Sequence, residues 1–317
     1  MVKKRFQNKI AGSDFTFPFC AVVAAILWWL PECAFSLSAA LGMVVCGLAT
    51  YIVMETNNRM LIIRMRTRMM SCVWMVLAAS LPFMHPLGNP IVAATLLCAS
   101  YFTLFRCYEQ HRPQTNVFHA FLLLSIGSFF APVMLLLAIP FYIYLVGFLR
   151  SLTKKAFWAG ILGIVVPFWC YAIWSFLTKD LQGFVQHLVG MAQFEMPCLE
   201  ALTALPFSVQ VSIGVVALLS IVSIIHYLRY NYDDKIRVRM YLYIYVSQTF
   251  LLLAFLLLQP ALYETTMALL VASTSPLIAH YLALSRSIFC SIFFVLSLLL
   301  TVAMATLNLW MTSFSIF

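Results

Sequence analysis

Few side chains in this sequence can carry acid–base, metal or phosphate chemistry, and most of them flank apolar runs. Glu32 stands in the tight turn Pro31-Glu32-Cys33-Ala34, and Glu264 in Tyr263-Glu264-Thr265. A carboxylate held near a membrane surface can act as a general base or bind a cation. Glu32 and Glu264 are therefore the candidate catalytic residues. Asp180, Glu195 and Glu200 are expected on the same side, where they read more simply as loop charges. Arg59, Arg64, Arg66 and Arg68 form a second group in RMLIIRMRTRMM. Guanidinium groups match phosphate, and basic clusters beside membrane spans attract anionic headgroups. This group is the candidate lipid-headgroup or phosphate contact, although membrane orientation alone would also place it there.

HYLRYNYDDKIRVR holds the acidic pair Asp233 and Asp234 among Arg229, Lys235, Arg237 and Arg239. Paired carboxylates can bind a divalent cation, yet this segment lacks further ligands and is expected to neutralise itself. No metal and no cofactor is expected. Ionisable residues inside a membrane are costly and often functional. His280, four residues after Pro276 in the polar stretch Ser273-Thr274-Ser275-Pro276, and His119 are the exceptions here. Neither has an acidic partner within its own run, which argues against an ion-coupled pump.

The elements that must position these residues are legible from composition. The chain of 317 residues is 64% hydrophobic and 9% charged, with mean hydropathy +0.98. Soluble domains carry about a quarter charged residues. Continuous apolar runs of the length that crosses a ~30 Å hydrocarbon core recur throughout. The fold class is all-α, a polytopic transmembrane helical bundle forming one domain over residues 1–317. A β-barrel is disfavoured because the runs do not alternate with period two. The basic start MVKKRFQNKI leads into an apolar stretch with no small-residue cleavage site, so it reads as an uncleaved first helix. The net charge of +9 belongs to span-flanking residues, which points to membrane lipids as partners and not to nucleic acid.

Nine cysteines show no CxxC and no clustering with histidine. Most lie within apolar runs, where cysteine behaves as a small hydrophobe. Cys33 and Cys198 fall in expected loops on one side, which leaves a disulfide between them open.

Spans are expected over 17–30, 35–54, 69–84, 90–105, 156–177, 207–227, 240–258, 266–284 and 288–310. Between the fourth and fifth of these lies an apolar segment, 117–149, that reads as one long crossing or two short ones. Two crossings put every lysine and arginine except Lys179 on the cytoplasmic side, whereas one crossing splits them between both sides. The positive-inside rule selects the hairpin, with its turn near Gly127, Ser128, Ala131 and Pro132. About eleven spans follow, with the N-terminus cytoplasmic and the C-terminus extracytoplasmic. In the longest external loop, Leu181, Phe184, Val185, Leu188 and Val189 recur at helical spacing, so 181–194 reads as an interfacial amphipathic segment.

GSFFAPVMLLLAIP with RSLTKKAFWAGILGIVVPFWCYAIW, and KIRVRMYLYIYVSQ with STSPLIAHYLAL, resemble a family of bacterial multi-pass inner-membrane proteins of unknown function. The first stretch is also similar to the membrane part of lipid-linked-sugar (GT-C-type) glycosyltransferases. In that class an acidic residue of the first external loop is catalytic, which implies Glu32, although here that loop spans only Pro31 to Ala34. The resemblance implies an inner-membrane location and, as partners, a polyprenyl-phosphate-linked sugar or other envelope-assembly proteins.

Three functions are expected. The first is a scaffold or accessory component in cell-envelope or surface-polysaccharide assembly, with no catalytic motif. The second is a minimal polyprenyl-phosphate-sugar-dependent glycosyltransferase. The third is a flippase or carrier for an uncharged or lipid-like substrate. A reporter fused after Lys179 is expected to read as extracytoplasmic, and a cytoplasmic signal there would overturn the hairpin.

Overall fold

The computed structural model describes residues 10–31, 36–65, 67–193, 199–284 and 288–314. The expectations placed on Glu32, Cys33, Arg66, Glu195 and Cys198 lie outside the described residues. The described residues are helical with no strand. In chain order the helices are α1 (Thr16–Trp29), α2 (Leu37–Met60), α3 (Met69–Ala79), α4 (Asn89–Phe105) and α5 (Gln114–Ser128). Then come α6 (Val133–Leu136), α7 (Ala138–Gly147), α8 (Lys154–Leu177), α9 (Leu181–Ala192) and α10 (Leu199–Thr203). The last four are α11 (Phe207–Tyr230), α12 (Ile236–Leu258), α13 (Tyr263–Leu284) and α14 (Ile288–Phe314). Among the described residues, six helical segments are long and apolar enough to cross a membrane: α2, α8, α11, α12, and the segments Pro260–Leu284 and Ser291–Trp310 in the α13 and α14 regions. Helices α1, α3 and α4 are shorter apolar helices, as is the segment Val133–Gly147.

Each long helix satisfies its own backbone, the requirement that makes helices the usual choice in hydrocarbon. Ser36 caps α2 through Ala39 N, and Thr153 caps α8 through Ala156 N at 3.1 Å. Leu61, Glu109, Arg150 and Lys179 take a left-handed backbone at or just beyond a helix end, a place usually given to glycine. At each of these points the chain leaves a helix and reverses.

The puzzling apolar segment is a hairpin of two short arms. Helix α5 ends at Ser128, Phe129–Pro132 break the run, and α6 and α7 return. The two feet meet where Glu109 N donates to the Leu149 carbonyl at 2.9 Å. Helix α8 lies against α5 because Gly163 has no side chain: a Cβ there would sit 2.6 Å from the Phe118 carbonyl. Small residues allow such close helix contacts where apolar burial does not discriminate helix from lipid.

Helix α13 is the centre of the bundle. Its residues are buried without a break from Thr266 to Ala283, and α3, α4, α11 and α12 pack around it. By contrast α8 leaves Trp158, Leu162, Trp169, Ile173 and Trp174 exposed, the surface expected of a helix facing lipid.

Contacts gather the basic side chains at one end. Arg59 and Arg106 both lie over the Phe102 ring, and Arg237 lies over Tyr108 and Tyr241. His111, Arg112, Lys154 and Lys155 line one depression beside the hairpin feet. At the opposite end Trp28 Nε1 donates to the Ala39 carbonyl at 3.0 Å and stacks on His85. There Asn308 Nδ2 also donates to the Ser80 carbonyl at 2.9 Å and to Ser212 Oγ at 3.0 Å. Gly163→Ala is expected to lower the unfolding midpoint of the detergent-purified chain by overpacking, at about 1–3 kcal/mol. Gly214→Ala, where nothing stands within 4 Å of the new Cβ, is the control and should leave the midpoint in place.

Candidate functional site

The side chains that converge come from three separate parts of the chain. His280, inside α13, places Nε2 2.9 Å from Asp234 Oδ2. Arg64 Nε stands 3.8 Å from the other carboxylate oxygen, Oδ1. Asp234 and His280 are deeply buried, at 2% and 6% side-chain exposure, while Arg64 at 38% reaches the surface at the basic end.

Local structure explains how each one arrives. The loop carrying Arg64 is held by Asn57, whose Oδ1 accepts from Ile63 N at 3.1 Å and whose Nδ2 donates to the Thr67 carbonyl at 3.2 Å. Thr67 in turn accepts from Met69 N and donates to the Ala11 carbonyl. Asp234 sits in the tight connection between α11 and α12, where its N–H bonds the Asn231 carbonyl at 3.1 Å. That connection is braced by Asn231 Nδ2 on Tyr243 Oη at 2.7 Å and by Tyr227 Oη on the Arg239 carbonyl at 3.2 Å. His280 follows Pro276, which has no N–H to continue the helical ladder. Ser275 Oγ, 3.5 Å from the Ala272 carbonyl, covers the acceptor so released.

Around this pair lie further polar groups. The Tyr227 ring meets the His280 ring edge-on at 5.6 Å between centroids, and His226 packs against Tyr230 and Tyr281. Further along α13, Ser273 Oγ is 2.8 Å from Tyr101 Oη. A different histidine, His85, lies outside the spans and has no carboxylate partner among the described residues. Burial pushes it down to about 4, opposed by its Nε2 contact with the Ala79 carbonyl.

Beside the basic end, a crevice of about 560 Å³ opens among α1, α3, α11, α13 and α14. Phe15, Phe19, Val76, Leu219, Ile278 and Leu298 make its walls largely apolar, with Cys20, Cys72, Ser297 and Thr301 among the lining. Arg68, just before α3, lies over the Phe17 ring at 5.5 Å, where the start of α3 meets α1.

The sequence-expected residues scatter. Glu264 is exposed at the opposite end, in the first turn of α13, where it accepts from Tyr263 Oη at 3.2 Å. Arg59 pairs with Glu55 one turn back, Arg68 turns to Phe17, and only Arg64 of the described arginine group reaches a carboxylate inside the bundle. No cluster of three or more His, Cys, Asp or Glu suited to a metal exists among the described residues. His119 is exposed and bonds the Thr115 carbonyl at 2.6 Å. Helix α9 lies over α8 with Phe184 and His187 turned inward onto Tyr171, and His187 also stacks on Phe129. Its Leu181, Val185, Leu188 and Val189 remain exposed.

His280 and Asp234 were each visible in the sequence, but as a lone intramembrane histidine and a self-neutralised loop carboxylate. They stand 46 residues apart on different elements, and no local spacing announces the pair. A comparison with protein families, curated proteins and solved structures finds no match.

Asp234→Asn and His280→Gln are each expected to destabilise the chain, because a buried hydrogen bond to a charged group contributes about 1.5–3 kcal/mol. The double variant should lose less than the sum of the two. Unfolding in detergent followed by circular dichroism checks this, and strict additivity would remove the interaction.

Proposed function

We propose that this chain is a multi-pass inner-membrane protein that binds an amphipathic, lipid-like molecule with an anionic head and carries or presents it. The crevice is the observation that carries the reading. At about 560 Å³ it lies within the roughly 300–1,000 Å³ of small-molecule sites. Its largely apolar walls suit a hydrocarbon chain. Arg68 beside its start, with Arg64 on the preceding loop, places positive charge where a phosphate head would lie.

About eleven crossings, with the N-terminus cytoplasmic and the C-terminus outside, fit this reading. The gathering of basic side chains at one end and the meeting of the hairpin feet at Glu109 and Leu149 support it. The basic end would then face the cytoplasm, and the crevice would open toward the cytoplasmic leaflet.

The scaffold reading was motivated by a bundle without convergent polar groups, and Arg64, Asp234 and His280 do converge. For the glycosyltransferase reading, Glu264 stands exposed and accepts a hydrogen bond from Tyr263 Oη, and Glu32 carries what remains of the proposal. The carrier reading uses the features that are built into the bundle.

Native mass spectrometry of the protein gently extracted from its own membrane tests this. A stoichiometric anionic lipid is expected on the wild type, and filling the crevice with Val76→Trp or Leu298→Trp should reduce its occupancy at least tenfold. A bound polyprenyl phosphate would point to the lipid-linked-sugar pathway, and a bound phospholipid to general lipid transport. Equal lipid occupancy in the wild type and both variants would overturn the crevice as the site. A stoichiometric protein partner with no lipid would favour the scaffold.

A further inference from the structure

The Asp234–His280 pair leaves two buried atoms without a hydrogen bond: Asp234 Oδ1, which has Arg64 Nε 3.8 Å away, and His280 Nδ1. An ionised carboxylate only accepts hydrogen bonds, so at 2.9 Å from Asp234 Oδ2 the His280 Nε2 carries the hydrogen. In the neutral ring Nδ1 is then a bare acceptor. That atom is buried and has no hydrogen-bond partner among the described residues. A buried lone pair without a partner is unfavourable, and buried polar groups inside membrane bundles commonly mark proton or ion sites.

The charges around this atom suit a proton. Arg64 and ionised Asp234 together are neutral, so protonating His280 takes the cluster to a single positive charge with its counter-ion already in place. The titratable and charged groups facing the pair are few. Helix α11 brings His226, whose Nδ1 is likewise buried and without a partner, and Tyr227. Helix α12 brings Arg239 and Tyr243 beside Tyr227, and the loop before α3 brings Arg64 against Asp234. No second described carboxylate competes. Arg64, partly exposed at the basic end, meets the pair at Asp234 Oδ1.

We infer that Asp234 and His280 form a proton-binding site that takes up its proton at His280 Nδ1. The step is a simple transfer: a proton leaves a water-borne donor, one N–H bond forms, and imidazole becomes imidazolium beside the Asp234 carboxylate. His280 lies on the face of α13 opposite Ile278 and Leu282, two residues and 200° of helix away, and those two line the crevice. Loading the proton therefore changes the charge behind the crevice wall. The site stands on its own geometry, whether or not a lipid occupies the crevice.

Proton uptake by the full chain in phosphatidylcholine nanodiscs, read with a pH-indicator dye and by infrared imidazole and carboxylate bands, tests this. The wild type should take up one proton more per chain than His280→Gln, in a step that the variant lacks. Asp234→Asn removes the counter-ion and should move that step to lower pH by at least a tenfold proton concentration. Arg64→Gln removes a repelling charge and should move it to higher pH. Opposite displacements by the two neighbours are something a purely structural contact would not produce. Arg64 is outside the core, so its variant keeps the test decidable if His280→Gln fails to fold. A step unchanged in His280→Gln, or displaced the same way by both neighbours, would overturn the site.

Discussion

Helix α13 is enclosed by other helices along nearly its whole length, so every polar atom it carries must find a partner inside the bundle or do without one. Much of the interior follows from that constraint. Ser273 is met by Tyr101 of α4, and His280 by Asp234 from the connection between α11 and α12. Where no partner comes, as at Thr266 and Thr274, the hydroxyl stays a buried, unpaired donor. These contacts tie α13 to α4 and to the α11–α12 connection more specifically than apolar packing can, since lipid tails are as apolar as the helix faces themselves.

The same constraint concentrates chemistry at one end. Basic side chains there rest on aromatic faces, Arg237 on Tyr108 and Tyr241, Arg59 and Arg106 on Phe102. Arg64 instead reaches a buried carboxylate. Cations so placed keep their heads near water while their stems cover apolar surface. The crevice opens beside this end, so an apolar binding volume, a positively charged rim and a buried titratable pair occupy neighbouring parts of one structure.

Close approach of backbones supplies the remaining specificity. Gly163 lets α8 lie on the hairpin arm α5, and Gly42 lets α2 lie against the loop at His85, whose carbonyl a Cβ would meet. Helix α8 otherwise shows lipid-facing aromatics on most of its surface, so these small residues fix where it docks. The hairpin arms are short, and α8 packs along one of them.

Much was determined by the sequence alone. Apolar runs placed the helices they belong to within several residues, the short Thr16–Trp29 as well as the long Ile288–Phe314, because hydrophobic length and helical rise are local properties. Charge asymmetry alone divided the apolar segment before Arg150 into two arms, and Leu181–Ala192 was legible from its periodicity. The site was not legible. Asp234 read as one more charge in a basic loop and His280 as an isolated histidine, because the bond between them depends on how α11, α12 and α13 pack. The crevice likewise takes its lining from five helices far apart in the chain. Glu32 and Glu264 attracted notice by residue type and loop position, but where a carboxylate points and what stands beside it are properties of packing. Helix existence is written in the hydrophobicity of consecutive residues, while the meeting of side chains across the bundle is settled only when the helices are assembled.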